Sequence, residues 1–103
     1  MNQANLNEFE FIDFSPTNSV ATIAKERLRR LFGESPSDSS ARALLKRTAS
    51  GFEGRLVIVS AAGRFFAEVI GDDPVSVVNS LVGRIANQLV DWRRARLPAL
   101  NSL

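Results

Sequence analysis

Residues 73–96 read DPVSVVNSLVGRIANQLVDWRRAR, and their apolar side chains recur at the spacing of an amphipathic α-helix. Asp73 suits the N-cap, because its carboxylate can accept hydrogen bonds from the first backbone N–H groups. Pro74 suits the first helical position, which needs no backbone donor. The stripe predicted to be buried comprises Val75, Val78, Leu81 or Val82, Ile85, Leu89 and Trp92. The helix ends in an arginine cluster formed by Arg93, Arg94 and Arg96.

Two strands are predicted before this helix, joined by a tight turn into a hairpin. The first contains Leu-Val-Ile-Val at residues 56–59, a run with strong β-propensity. In the second, residues 64–70, the side chains alternate between one face with Phe65, Ala67 and Val69 and another with Phe66, Glu68 and Ile70. If helices cover only the first face, Phe66 and Ile70 form an apolar patch, which is typical of a partner or homodimer interface.

The first half of the chain predicts another strand and another amphipathic helix. Residues 8–14 have the alternating pattern of a half-buried strand. Residues 20–32 have helical spacing, with Asn18 or Ser19 as the N-cap and Gly33 just beyond the end. The exposed face of this helix carries Lys25, Glu26, Arg29 and Arg30.

Residues 40–50 fit two structures equally well on local grounds. Residues 41–47 read ARALLKR and suit a short helix, with serines before it and Gly51 after it. They also suit a strand with Ala43 and Leu45 facing inward. Local propensity leaves both alternatives open.

The length of 103 residues suits one domain, which we predict to span residues 8–96. Residues 1–7 are predicted to be disordered and residues 97–103 to form a frayed tail. The N-terminus has no basic or apolar segment typical of a signal peptide. No apolar run approaches the roughly 20 residues of a membrane span, so a cytoplasmic protein without membrane contact is expected.

The composition argues against an enzyme. The chain has no Cys and no His, which removes thiol nucleophiles, imidazole acid–base catalysts and the usual zinc ligands. The adjacent carboxylates of Asp72 and Asp73 are explained by the helix cap, and no glycines have phosphate-loop spacing. We therefore expect no catalytic residue, metal, cofactor or small-molecule substrate.

The positive charge of the chain is almost all arginine, since only Lys25 and Lys46 are lysines among 13 basic residues. Arginine suits phosphate binding, because its planar guanidinium donates two parallel hydrogen bonds. The basic outer faces of the two helices could merge into one positive surface, which Arg42, Lys46 and Arg64 could extend to the sheet edge. The alternative is that the arginines complement a helix C-terminus or form an ordinary solvated face.

This element order resembles the short form of the ribosome hibernation-promoting factor family. The resemblance covers residues 8–96 and is carried by the last helix. That helix opens with Asp73-Pro74-Val75-Ser76-Val77-Val78-Asn79 and continues without a gap through Leu81, Arg84, Ile85, Gln88 and Leu89 to Arg93, Arg94 and Arg96. Val75 stands where the family has an aromatic residue, and Asn79 stands where it has an acid.

The resemblance implies that residues 41–49 form a strand. The expected fold is then α+β, in the order β-α-β-β-β-α, with two helices on one face of a four-stranded sheet. The implied function is hibernation of stressed bacterial ribosomes, by binding small-subunit rRNA and inhibiting translation through occupancy of the mRNA/tRNA channel. The RNA-binding residues would be Lys25, Arg29, Arg30, Lys46, Arg84, Arg93, Arg94 and Arg96. The alternative function is a protein-interaction module of the same fold, which has lost RNA binding and uses Phe66 and Ile70 to dimerise or dock a partner.

Overall fold

The computed structural model describes the backbone of residues 5–101 and the side chains of residues 9–95. It confirms the predicted order β-α-β-β-β-α. The elements are β1 (Asn5–Ile12), α1 (Asn18–Phe32), β2 (Ser40–Thr48), β3 (Gly51–Ser60), β4 (Gly63–Gly71) and α2 (Pro74–Asn101). The strands form one sheet in the order β1-β2-β3-β4, in which β1 and β2 are parallel and the other pairs are antiparallel.

The core lies between one face of the sheet and the two helices, as predicted. The sheet contributes Ala41, Ala43, Leu45, Leu56, Ile58, Phe65, Ala67 and Val69. The helices contribute Ala24, Leu28, Leu31, Phe32, Val77, Val78, Leu81, Ile85 and Leu89. We call the outward side of α1 and α2 the helix layer, and the uncovered side of the sheet the open face.

The ambiguous segment is a strand, and its place in the sheet explains why. β2 lies between β1 and β3 and pairs with both along its length. Ala41, Ala43 and Leu45 are buried against the helices, while Arg42 and Lys46 point to the open face. Two-sided pairing therefore overrides the helical propensity of this segment, which is a tertiary effect.

Both predicted ends of the domain need correction. β1 begins at Asn5, so residues 5–7 are strand rather than disordered, because Asn5 pairs with Ser40 and Leu6 with Ala41. α2 continues to Asn101, so residues 97–101 are helical rather than frayed. Proline removes one backbone donor but has a helical φ, so Pro98 does not stop the helix near its end. Residues 1–4 and 102–103 lie outside the described part of the chain.

The caps of α1 also differ from the prediction. The N-cap is Thr17 rather than Asn18 or Ser19, because the Thr17 hydroxyl accepts a hydrogen bond from the Val20 N–H at 3.2 Å. Gly33 follows the helix, as predicted, and has a right-handed conformation with φ −63°. Its N–H donates to the carbonyl of Arg29 at 3.1 Å.

Val77 is fully buried, although the predicted stripe of α2 omitted it and included the half-buried Val75. Val77 packs on a notch in the sheet at Gly54 and Gly71. A Cβ on Gly71 would lie 2.9 Å from Val77 Cγ2, and a Cβ on Gly54 would overlap Val77 Cγ1. These two glycines let α2 approach the sheet closely, which shifts its buried stripe toward Val77.

Asp73 caps α2 as predicted. Its carboxylate accepts hydrogen bonds from the backbone N–H and the hydroxyl of Ser76, both at 2.9 Å. The backbone hydrogen bond from Ser76, followed by the hydroxyl bond, lowers the pKa of Asp73 below its ordinary value of 3.8. The stabilisation is therefore fully present above that value and is lost as the pH falls through the lowered pKa of the folded state.

We expect Asp73→Asn to keep the cap but remove this pH dependence, because the amide oxygen still accepts a hydrogen bond from the backbone N–H of Ser76 and the side chain has no charge to titrate. The amide NH2 replaces the second oxygen and can donate to the Ser76 hydroxyl instead of accepting from it. The measurement is urea denaturation of both proteins between about pH 6 and pH 2. The stability advantage of the wild type over Asp73→Asn should shrink toward the acid end. If the difference in free energy of unfolding between the two proteins stays constant across this pH range, the lowered pKa of Asp73 does not contribute to stability.

Candidate nucleic-acid interface

The predicted RNA-binding residues lie in three different places. Lys25, Arg29, Arg30, Arg93 and Arg94 are exposed on the helices, at positions outside the buried core. Arg84 reaches the edge of the sheet, where its guanidinium donates to the Glu68 carbonyl of β4 at 3.2 Å. Lys46 is exposed on the open face. The side chain of Arg96 lies outside the described residues.

The C-terminal part of α2 contacts Glu34, a residue just beyond the basic last turn of α1, through Arg93. The Arg93 guanidinium donates to the backbone carbonyl of Glu34 at 3.0 Å and lies 3.9 Å from the Glu34 carboxylate. Glu34 is two residues beyond α1, whose last turn contains Arg29 and Arg30. We call Arg29, Arg30, Arg93 and Arg94 the arginine end of the helix layer.

Acidic neighbours hold this end only weakly. Glu26 lies 3.3 Å from Arg29 and 3.9 Å from Arg30, and all three side chains are exposed. Exposed ion pairs of this kind contribute about 0–1 kcal/mol, so a phosphate can replace the glutamate. Lys25 and Arg94 make no hydrogen bond or ion pair with any other described residue. The arginine end therefore offers guanidinium donors to an anionic ligand at little cost.

A groove of about 550 Å³ separates the two helices beside this end. Ile23, Leu31, Val82 and Ala86 supply its apolar lining, and Glu26, Arg27, Arg30 and Glu34 supply its polar groups. Arg27 was not among the predicted residues. Its guanidinium donates to the Asn79 side-chain oxygen at 2.6 Å, which links α1 to α2. This pairing depends on how the helices pack, so no pattern within α1 could reveal it.

Gln88 and Arg84 of α2 cover the free edge of β4. The Gln88 amide accepts from the Phe66 N–H at 3.1 Å and donates to the Phe66 carbonyl at 2.7 Å, as a neighbouring strand would. Arg84 donates a hydrogen bond to the carbonyl of Glu68, which lies on the same edge of β4. Covering an edge strand in this way protects it from pairing with other chains. Both residues, which carry part of the family resemblance, thus have a structural role.

The open face is exposed, as the alternation of β4 predicts. The exposed fractions are 43% for Phe66, 73% for Ile70 and 48% for Val59. The expectation that Arg42, Lys46 and Arg64 extend the positive surface of the helices is wrong. Strand side chains alternate, and these three point away from the helices. A partner at Phe66 and Ile70 and RNA binding by Lys46 stay predictions.

Trp92 lies at the edge of the core, as predicted, rather than on an exposed stacking platform. It is half-buried, and its ring meets that of Phe65 edge-to-face, with centroids 6.2 Å apart. Among the described residues there is no group of three or more His, Cys, Asp or Glu side chains that could hold a metal ion. The described helices also include none that is long and apolar enough to span a membrane.

Comparisons with known proteins identify the fold. No protein-family model matches the chain, and no curated protein matches it significantly. The Protein Y N-terminal domain of Thermus thermophilus superposes with a TM-score of 0.69 at 16% identity, covering 82% of this chain and 94% of that one. A ribosomal subunit interface protein from Coxiella burnetii superposes with a TM-score of 0.68 at 11% identity, covering 84% and 98%. The chain therefore has the fold of these two proteins, which confirms as a likeness of fold the predicted resemblance to the hibernation-promoting factor family.

Proposed function

We propose that this protein is a ribosome-associated factor that binds small-subunit rRNA and inhibits translation by occupying the mRNA/tRNA channel. The observation that carries the proposal is the arginine end, where Arg93 of α2 contacts a residue just beyond the basic last turn of α1 on the exterior of the fold. The fold supports it, since one structural neighbour is described as a ribosomal subunit interface protein. The channel itself is implied by the family resemblance.

In this proposal the protein acts by occupancy, and no bond is made or broken. The guanidinium groups of the arginine end bind rRNA phosphates, and each contact releases condensed counterions. Structured RNA is read largely through its shape and backbone, so few exposed aromatic residues are needed on the helix layer. The groove beside Arg27 and Arg30 makes the surface of the helix layer concave, so a protruding part of the rRNA can fit into it. A domain seated there excludes mRNA and tRNA.

The test is co-sedimentation of the full chain with purified small ribosomal subunits, together with an in vitro translation assay. We expect binding at about 50 mM salt that weakens by about a thousandfold or more at 200 mM, if six or more phosphates are contacted. Translation should be inhibited over the same protein concentrations, and excess mRNA should relieve the inhibition. The absence of binding at low salt would show that the protein is not a ribosome-associated factor.

A further inference from the structure

The open face contains a cleft that the proposed function does not use. Its volume is about 290 Å³, which is close to the lower bound for small-ligand sites. Half-buried Leu44 and Val57 form its apolar floor. Phe66 and three arginines, Arg42, Arg55 and Arg64, surround this floor. The cleft thus combines an exposed aromatic ring, an apolar floor and guanidinium groups.

The sheet register explains this arrangement. Arg42, Val57 and Phe66 are neighbours across β2, β3 and β4, and Leu44 and Arg55 are neighbours in the next row on the same face. Arg64 lies two residues before Phe66 on β4. Its guanidinium carbon is 5.5 Å from the centroid of the Phe66 ring. Cation and ring therefore form one unit at the rim of the cleft.

The Phe66 backbone is held in place before any ligand arrives. Gln88 of α2 binds both its N–H and its carbonyl, so the strand is fixed where the ring projects. The ring nevertheless remains 43% exposed. A rigid backbone that presents an exposed aromatic ring is a preorganised stacking platform, which loses little conformational entropy on binding.

The charges of the cleft favour an anionic ligand at Arg64. Arg55 forms ion pairs with two acidic neighbours. Its Nε lies 2.6 Å from Glu68 Oε2, and its Nη2 lies 3.4 Å from Glu53 Oε2. Arg64 makes no hydrogen bond or ion pair with another described residue, so its guanidinium donors are available. A guanidinium beside an exposed ring is the combination that binds a phosphate next to a stacked base.

We propose that this cleft binds one nucleotide unit of single-stranded RNA, with the base stacked on Phe66 and the phosphate bound by Arg64. The carboxylate of Glu10, which also lines the cleft, can accept a hydrogen bond from an amino or imino group of the base. The site lies on the opposite side of the sheet from the helix layer. It therefore stands independently of the rRNA interface, and either can fail without the other.

The test is fluorescence anisotropy of the full chain with a labelled ten-nucleotide oligouridine at about 50 mM salt. Phe66→Ala should weaken binding roughly 5- to 150-fold, the range that corresponds to the loss of one stacked base. Phe66→Tyr should bind like the wild type, because the ring is kept. Arg64→Ala should weaken binding and make it less sensitive to salt. A base-free ribose-phosphate chain should bind weakly and be unaffected by Phe66→Ala.

Ile70→Ala is the matched control, since Ile70 lies on the same strand and face but does not line the cleft. It should leave binding unchanged, and thermal melts should show that all variants fold. The proposal is overturned if the wild type does not bind the oligonucleotide or if Ile70→Ala costs as much as Phe66→Ala. It is also overturned if Arg64→Ala binds the oligonucleotide as tightly as the wild type and with the same salt dependence. A wild-type dimer that Phe66→Ala dissociates would instead identify a protein interface.

Discussion

Replacing Gly54 by valine is expected to leave the chain unfolded. Gly54 is buried in β3, directly beneath α2. A Cβ at this position would overlap Val77 Cγ1 and would lie 2.8 Å from Leu81 Cδ1 and 3.3 Å from Leu45 Cδ2. All three neighbours are almost fully buried core residues, so none can move without disturbing the packing of helix on sheet. Valine adds two further methyl groups to this space.

The expected loss of stability is large compared with the total, because small domains are only marginally stable. Overpacking a core by a methyl group costs about 1–3 kcal/mol, and valine adds more volume than that. A domain of this size has a total stability of roughly 5–15 kcal/mol, and much of it depends on the contact between α2 and the sheet. We therefore expect Gly54→Ala to lower the urea midpoint clearly and Gly54→Val to abolish the cooperative transition. The measurement is circular dichroism during urea denaturation.

Two further variants separate this steric effect from a general sensitivity to glycine replacement. Gly83 is exposed in α2, and a Cβ there would meet nothing within 4 Å. Gly83→Ala should therefore stabilise the protein by about 0.5–1 kcal/mol, because alanine loses less conformational entropy in a helix. Val77→Ala removes the methyl group that Gly54→Ala would strike, so the double variant should be more stable than the two separate losses imply. If Gly54→Val has the same urea midpoint as the wild type, the close packing of Val77 on Gly54 is contradicted.

The contact of Val77 with the notch also shows which features of this fold local sequence patterns can predict. The amphipathic helix α2, the β3–β4 hairpin and the alternation of β4 are local features, and all three are confirmed. The predicted stripe of α2 is correct except at Val77 and Val75. Val77 was missed because its burial depends on glycines more than five residues away, in β3 and at the end of β4. β2 needed the family resemblance, because its strand conformation comes from pairing on both sides. Tertiary contacts decided the features that the local patterns did not.

The same distinction applies to the candidate interface. The exposure of the basic residues followed from helical spacing, since each lies opposite an apolar stripe. Helical spacing could not predict which residues these side chains contact, because Glu34 and the edge of β4 come close to Arg93 and Arg84 only in the folded chain. Strand alternation determined the position of Lys46, yet the predicted surface grouped it with the helices. A basic residue on a strand belongs to a helix layer only if it shares the covered side of the sheet.

Reversing two charges at the arginine end should weaken small-subunit binding by about 100-fold or more at 50–100 mM salt. The variant combines Arg30→Glu with Arg94→Glu. Each change removes a guanidinium that can bind phosphate and introduces a carboxylate that repels it. Hydrogen bonds to charged groups contribute about 1.5–3 kcal/mol each, and the loss of two gives the expected factor. The fold should tolerate both changes, because Arg30 has only a 3.9 Å exposed ion pair and Arg94 has no described partner.

The matched control makes the same change in net charge on the strands and their turns, through Arg47→Glu with Ala49→Glu and Ala62→Glu, and it leaves Lys46 in place. All three side chains are exposed, and none belongs to the predicted RNA-binding residues. If phosphates are bound at the arginine end, the control should lose less than about fivefold in affinity, the share due to long-range attraction alone. The slope of log affinity against log salt should become shallower by about 1.8 for the arginine variant only, since about 0.9 is lost with each phosphate contact. Equal losses in both variants would mean that binding follows net charge, and the arginine end would then have no special role. Because both variants carry the same net charge, only the position of the arginines can make them differ.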